Sequence, residues 1–470
     1  MRNMKALGAV TLSLALAACD MAPKYVRPEL PVPATSPQGP AYGVDGGQGM
    51  AVTADTGWRD FFTDARLARV IETALANNRD LRLAVANVEQ ARAQYRVQRA
   101  DLLPTVAGTG TATFSSQPLV QFGQSDRLRQ DVYQAQVGIS AWEIDLFGRV
   151  RNLTKSAQEQ YFASVENRNA AQVTLIAETA NAWLTMAADQ ERLRIARDLE
   201  SAFGKTLELN KARFAKGVAS ELEVRQAQTS YDSARSDIAQ ATTLVAQDQN
   251  ALNLLAGTTV PATDLPDALP QSDATLDNLP SGVGSDILLR RPDIASAEHQ
   301  LRSANADIGA ARAAFFPRIS LTAALGTVST GLSGLFAAGS ETWSVAPTAN
   351  LPIFDFGKNK ANLRYARATY DAMLATYEKS VQTSFREVAD ALARRGTMSQ
   401  QLEAQTSLRD SAKIAYTLSD ARFRAGVDSF LTTLDSQRSL YNAEQSLLAT
   451  RLTRASNMVE LYRSMGGGLK

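Results

Sequence analysis

Hydrophobic positions recur every seven residues near the end of each half of the chain. Val224, Tyr231, Ile238, Val245 and Leu252 form one seam, and Ala227, Ala234 and Ala241 run beside it. Further on, Leu440, Leu447 and Leu461 hold one phase, with Leu434, Tyr441 and Leu448 on the adjoining track. A seven-residue spacing keeps one helix face against a neighbour, and two seams per helix supply a neighbour on both sides, as in a cylinder of helices. Elsewhere the period falls to two. Ala135, Val137, Ile139 and Ala141 alternate with Gln134, Gln136, Gly138 and Ser140, and Trp343, Val345, Pro347, Ala349 and Leu351 alternate with Ser344, Ala346, Thr348 and Asn350. This pattern predicts strands with one apolar and one small, polar face. Each pairs with an earlier strand, 105–114 or 318–327, so two hairpins and four strands are expected.

The chain is also written twice. DLRLAVANVEQARAQYRVQRADLLP, from Asp80 to Pro104, returns 213 residues later as DIASAEHQLRSANADIGAARAAFFP, from Asp293 to Pro317. ARFAKGVAS at Ala212 returns 209 residues later as ARFRAGVDS at Ala421. Two matches at almost one offset imply a duplicated unit of about 200 residues. We read residues 58–257 as the first copy and 283–470 as the second, joined by a Pro- and Gly-rich linker over 258–282.

Proline placement locates the long helices. Prolines 23, 28, 31, 33, 37 and 40 mark an extended leader over residues 19–57. None then occurs between Pro118 and Pro261, or after Pro352. Inside each proline-free tract an interval of the same length runs between glycines, Gly148 to Gly217 and Gly357 to Gly426. A helix filling it would be roughly 100 Å long at 1.5 Å per residue, deeper than any globular core. Pro104 and Pro317 end the incoming helices and turn the chain into the strands.

Composition removes several classes of function. Lys and Arg number 49 against 48 Asp and Glu, so no electrostatic argument favours nucleic acid. With one His and one Cys, metal clusters and disulfide frameworks are excluded by count. His299 is expected to be packed or interfacial rather than a ligand. Neither a nucleophile with its base nor a phosphate-binding glycine pattern is present. Residues 1–18 read as a signal peptide whose apolar run, Ala9 to Ala18, is too short to span a bilayer. Its end, Leu16-Ala17-Ala18-Cys19, resembles a bacterial lipobox, which makes Cys19 the expected site of lipid attachment. Apart from that covalent lipid, no cofactor is expected. An apolar face outward and a polar face inward fit a membrane barrel, although a soluble two-hairpin sheet stays open on pattern alone. Four strands cannot enclose a lumen, whereas three chains would supply twelve.

The chain resembles outer-membrane channels of the TolC family, in the lipidated OprM-like (NodT-type) branch that serves tripartite RND efflux systems. The resemblance rests on KYVRP at Lys24, WRDFFTDARL at Trp58, WEIDLFGRVR at Trp142, the long run from Arg290 to Thr322, LPIFDFGKNKAN at Leu351 and RFRAGVDSFLTTLDSQRSLYNAEQ at Arg422. It implies a mostly α fold with a small β part: an internally duplicated long-helix α-barrel plus four strands per chain. A homotrimer would build a 12-stranded transmembrane β-barrel and a 12-helix periplasmic tunnel. It further implies a lipid-anchored outer-membrane protein, with a periplasmic adaptor (membrane fusion protein) and an inner-membrane RND transporter as partners.

The hairpin turns are the candidate site. Gly217 and Gly426 suit the left-handed residue that ends a helix, and Ser220 and Ser429 the N-cap of the next, with Glu223 completing a capping box. By the resemblance these turns are tips that contact the adaptor through Arg213, Gly217, Val218, Arg422, Gly426 and Val427. Asp428, Leu431, Asp435 and Arg438 are spaced by three, four and three, which places them on one helix face. That spacing alone fits a solvated face with an internal Asp–Arg pair. The resemblance makes Leu431 and Asp435 the channel gate, with Asp428 and Arg438 beside them. The function implied is that of a passive exit duct, not an enzyme. A type I protein-secretion duct shares this architecture, and a periplasmic coiled-coil scaffold or adaptor is the remaining alternative.

Overall fold

The computed structural model describes residues 20–35, 37–42, 56–118, 127–270, 274–275, 284–467 and 469. The signal segment, the lipobox and Cys19 lie outside them, as does part of the 258–282 linker. The elements in order are α1 (Trp58–Phe61), α2 (Ala65–Asn77), α3 (Arg79–Ala100), β1 (Val106–Pro118), β2 (Arg127–Glu143), α4 (Arg149–Ala215), α5 (Glu221–Ala256), α6 (Pro292–Ala313), β3 (Arg318–Ser329), β4 (Glu341–Asn350), α7 (Lys358–Arg424) and α8 (Phe430–Ser464). Both α4 and α7 are 67 residues long, the length set by the paired glycines. The chain divides into two compact units.

The first unit comprises the leader up to Glu29 with Asn87–Val165 and Ser296–Tyr377. It holds one antiparallel sheet in the order β1-β2-β3-β4. The two hairpins of the repeat are thus joined through β2 and β3. Gly138 and Gly326 lie where an added β-carbon would strike the facing carbonyls of Ala323 and Ala135, so this joint tolerates little but glycine there. The register aligns Gly108, Val137, Leu325 and Trp343 in one row and Val106, Ile139, Ala323 and Val345 in another on the same face. Between these rows Ala107, Gly138, Ala324 and Ser344 point to the other side. The apolar face is bare in the single chain: Leu325 is 68% exposed and Trp343 75%. One bulge interrupts β2 between Ile139 and Trp142, where Ala141 takes a φ of 50° and donates its N–H to Thr322 Oγ1.

The leader is docked on this unit. Asp20 accepts from Asn152, Met21 and Pro23 offer carbonyls to Arg312 and Asn305, and Arg27 pairs with Glu298 at 2.9 Å. Ala22 lies so close to Gly309 that a β-carbon there would meet it. The expectation for His299 holds: Nδ1 lies 2.6 Å from Glu159 Oε2, beside the Phe162 ring.

The second unit comprises Leu30–Ala86, Glu166–Ala295 and Glu378–Lys470. Trp183, Leu184, Ile176, Leu67, Ile71 and Leu252 are buried in it, and Phe61 stacks on Tyr462 at 3.9 Å. Asp64 caps α2 by accepting from the N–H groups of Arg66 and Leu67. Arg291, 5% exposed, donates to Asp293, Glu387 and the Ser464 carbonyl, while Arg463 holds Glu387 and Glu460. Every charge in that cluster has an opposite partner, the condition under which buried charges are tolerated.

Candidate functional site

Both long hairpins turn in the same way. In the first, Gly217 sits at φ 72° and donates to the Phe214 carbonyl, while Val218 donates to Arg213. In the second, Gly426 at φ 77° donates to Phe423, and Val427 to Arg422. Each is a Schellman turn, in which a left-handed glycine returns the last helical carbonyls to hydrogen-bond partners. The next helix starts differently in the two copies. Ser220 makes the expected capping box: its Oγ accepts from Glu223 N–H, and the Glu223 carboxylate accepts from Ser220 N–H at 2.7 Å. The expectation for Ser429 fails. Its side chain caps no backbone N–H and instead meets the Thr432 hydroxyl at 3.2 Å; with threonine as the third helical residue the reciprocal half of a capping box is also missing.

Beneath the turns lies a small core of its own. Phe203, Leu207, Ala227, Ala234, Phe423, Phe430 and Leu434 are all buried, with Leu199, Val224 and Tyr231 packed against them. This core draws on α4, α5, α7 and α8, so the two turns are built as one tip. Ala227 and Ala234 belong to the narrow seam of the heptad pattern and let the aromatic rings of the other copy approach closely.

Arg213 does not extend freely from the tip but lies over the Phe423 ring at 4.8 Å. Arg422 reaches across its own turn and grips Asp428 in a fork, Nε to Oδ2 at 2.6 Å and Nη2 to Oδ1 at 2.8 Å. The Arg422 guanidinium holds the Asp428 carboxyl below the usual carboxylate range. Arg438 is therefore not the partner of that acid. It donates to Ser230 Oγ at 3.5 Å, and among the described residues no ion pair joins it to Asp435. Leu431, Asp435 and Arg438 are all exposed on α8. Val218 and Val427 are equally exposed, 63% each.

Three further features stand outside those readings, one given by the repeat and two by contacts between helices. Leu222 stands in the first turn where Leu431 stands in the second, and is 65% exposed; applying the 209-residue offset to Leu431 would have found it. Tyr441 donates to Asp237 at 3.2 Å, and burial beside that carboxylate pushes its hydroxyl up to about 12. Asp248 lies beside buried Asp189, which Arg192 also holds at 2.6 Å; burial and the neighbouring carboxylate push Asp248 up to about 6. Nothing in the sequence pairs those two acids, which lie on α4 and α5.

Among the described residues no group of three His, Cys, Asp or Glu side chains is placed to hold a metal, and no helix is long and apolar enough to cross a membrane.

The sequence signature of the family described as outer membrane efflux protein matches residues 70–258 and 283–467. The chain is 46% identical over 464 residues to the toluene efflux pump outer membrane protein TtgC of Pseudomonas putida, covering 97% of this chain and 95% of that one. It is 41% identical to the outer membrane protein OprJ of Pseudomonas aeruginosa, covering 98% and 95%. Among solved structures, the open state of the Neisseria gonorrhoeae MtrE outer membrane channel superposes with a TM-score of 0.85 at 40% identity, covering 96% of this chain and 99% of that one.

Proposed function

The chain belongs to the outer membrane efflux protein family and is an outer-membrane efflux channel, and from that membership we propose that it works as a homotrimeric exit duct of a tripartite pump. An inner-membrane transporter and a periplasmic adaptor deliver the substrate, and this protein conducts it passively to the exterior. The observation that carries the trimer is the sheet. It has four strands, β1 and β4 are open edges, and its apolar face is exposed in the single chain. An edge left open in lipid would strand backbone hydrogen-bonding groups, and closure with two further copies satisfies them. The helices agree, since α3 carries no buried residue although Leu83 and Val97 lie on it.

In this reading Cys19 carries the lipid, and the docked residues from Asp20 onward hold the anchor against the sheet-bearing unit. Leu431 and Asp435 of three chains form rings at the tip, apolar and acidic, with Asp428 locked beside them by Arg422. Three carboxylates crowded round one axis attract cations, while the leucines exclude water. Val218 and Val427 offer the adaptor an apolar contact.

The test is export and conductance together. In a strain lacking its own duct, the protein with its neighbouring pump genes restores resistance to pump substrates, and the purified protein forms channels in planar bilayers. Channels without restored efflux point to protein secretion instead, and absence of channels removes the duct reading.

A further inference from the structure

Within one chain the two copies of the repeat meet at a defined joint. The segment after β2 folds back on the start of β3: Ile144 N–H donates to the Ile319 carbonyl at 2.8 Å, and Phe147 stacks on Phe316 with ring centroids 4.7 Å apart. Glu143 pairs with Arg149 at 2.6 Å and reaches Arg318 at 3.6 Å. The internal repeat gives each partner a counterpart. Ile144 and Phe147 correspond to Ile353 and Phe356 after β4; Phe316 and Ile319 correspond to Leu103 and Val106 at the start of β1. In the single chain these counterparts are apart and bare: Ile353 is 93% exposed, Phe356 91% and Leu103 71%. Phe356 is also held at φ 52°, in the left-handed region, with its ring against Phe354, itself 76% exposed. Backbone strain of this kind persists where the surroundings demand it and clusters at functional positions, and an exposed aromatic pair leaves apolar surface to be covered.

We infer that the Ile353–Phe356 hook of one copy seats on Leu103 of a second copy of this chain, repeating across the protomer boundary the joint that Phe147 and Phe316 make inside it. The inference rests on the trimeric reading and names its contact. β4 and β1 are the free edges of the sheet, so the next copy's β1 is the strand that β4 meets. The same fold-back then brings Ile353 N–H to the Val106 carbonyl of that copy.

The two joints are not equal. At the inner joint two aromatic rings stack and Glu143 bridges Arg149 and Arg318. At the outer joint Leu103 replaces Phe316, Pro352 replaces Glu143 and Thr105 replaces Arg318, leaving apolar contact and backbone bonding alone. The boundary between copies is thus the weaker of the two by composition.

The experiment uses the full-length protein in detergent with Leu103→Cys and Phe356→Cys combined, treated with a short bis-maleimide and run on a denaturing gel. Covalent dimers and trimers are expected from the double variant and not from either single variant or the parent. A native mass of three chains without these products overturns the docking and leaves the trimer standing. A monomeric native mass overturns both. Labelling of Phe356→Cys by a lipid-soluble maleimide in the assembled trimer, without cross-links, places the hook against lipid and also overturns the docking. Independently, Leu103→Phe restores the ring partner that the inner joint has and raises the temperature at which the trimer dissociates; an unchanged or lowered temperature counts against the contact.

Discussion

Arg422 and Asp428, on either side of the second hairpin turn, are joined by two hydrogen bonds of 2.6 and 2.8 Å, and this pair fixes which way the acid faces. The spacing of Asp428 and Arg438 suggests an acid and a base on one helix face, but Asp428 lies in the turn before α8 begins at Phe430, and the fork comes from the helix before the turn. Arg422→Ala and Asp428→Asn should therefore each loosen the tip and raise channel conductance, and the double variant should add little to either single change. Full additivity in planar-bilayer recordings would show that the two side chains act separately. The pairing lowers the folded-state pKa of Asp428, so its contribution is present above the unfolded value of about 4 and is lost as pH falls through the folded value. Conductance of the parent protein should accordingly stay constant from pH 7 to pH 5.

The tip has its own core, and it should fail locally. Phe430 is 1% exposed among Phe423, Leu207 and Leu434. Phe430→Ala removes a buried ring at a cost of about 3–5 kcal/mol. Hydrogen exchange in α4, α5, α7 and α8 near the turns should rise while the sheet stays protected. Uniform loss of protection along the chain would contradict an independent tip.

Asp248 gives a pH dependence of the opposite sign to Asp428. Its folded pKa is raised to about 6 by burial and by Asp189, above the unfolded value of about 4. A raised folded pKa means stability present below pH 4 and lost as pH rises through 6. Thermal melts across pH 4–8 should show this decline, and Asp248→Asn, which keeps the contact without the charge, should flatten it. A parallel decline in the variant would assign the effect to other groups.

The gate reading predicts a division of labour. Leu431→Ala with Asp435→Ala should raise single-channel conductance severalfold, whereas Asp435→Ala alone should mainly weaken cation preference and block by a trivalent cation. Leu222 occupies the corresponding place in the first turn and is more exposed than Leu431. Adding Leu222→Ala to the double variant should widen the channel further. If conductance and trivalent block are both unchanged in the double variant, these residues do not line a closed tip.

What the sequence disclosed is what is local or repeated. The Schellman turns at Gly217 and Gly426 depend on residues within one turn of each other, and so does the Ser220–Glu223 box; all three were legible from spacing. The strands were legible from their period, and their apolar row of Val137, Leu325 and Trp343 follows from the register. Ser429 shows the limit of even local reading, since its hydroxyl meets that of Thr432 instead of a backbone N–H, a choice of partner that residue preference at the N-cap does not determine. Asp189 with Asp248 and Tyr441 with Asp237 were invisible because each pair joins different helices, whose relative rotation no spacing along one helix determines. The β2–β3 joint was likewise missed, although the repeat that predicts its counterpart was in plain view.

The tip turn allows charge to be separated from backbone strain. Gly426 has a φ of 77°, and a β-carbon added there would meet nothing within 4 Å. Substitution thus costs the left-handed backbone penalty, about 1–2 kcal/mol, without a clash. Asn and Asp tolerate that conformation best among residues with side chains, and they are nearly the same shape. Gly426→Asn and Gly426→Asp should therefore fold and reach the membrane alike. They differ in a carboxylate beside exposed Val427, on the face proposed to meet the adaptor. Efflux, read as the minimal inhibitory concentration of pump substrates, should be near normal for Gly426→Asn and reduced for Gly426→Asp, with cross-linking to the adaptor falling in step. Equal efflux and equal cross-linking for the two variants would remove this turn from the docking surface.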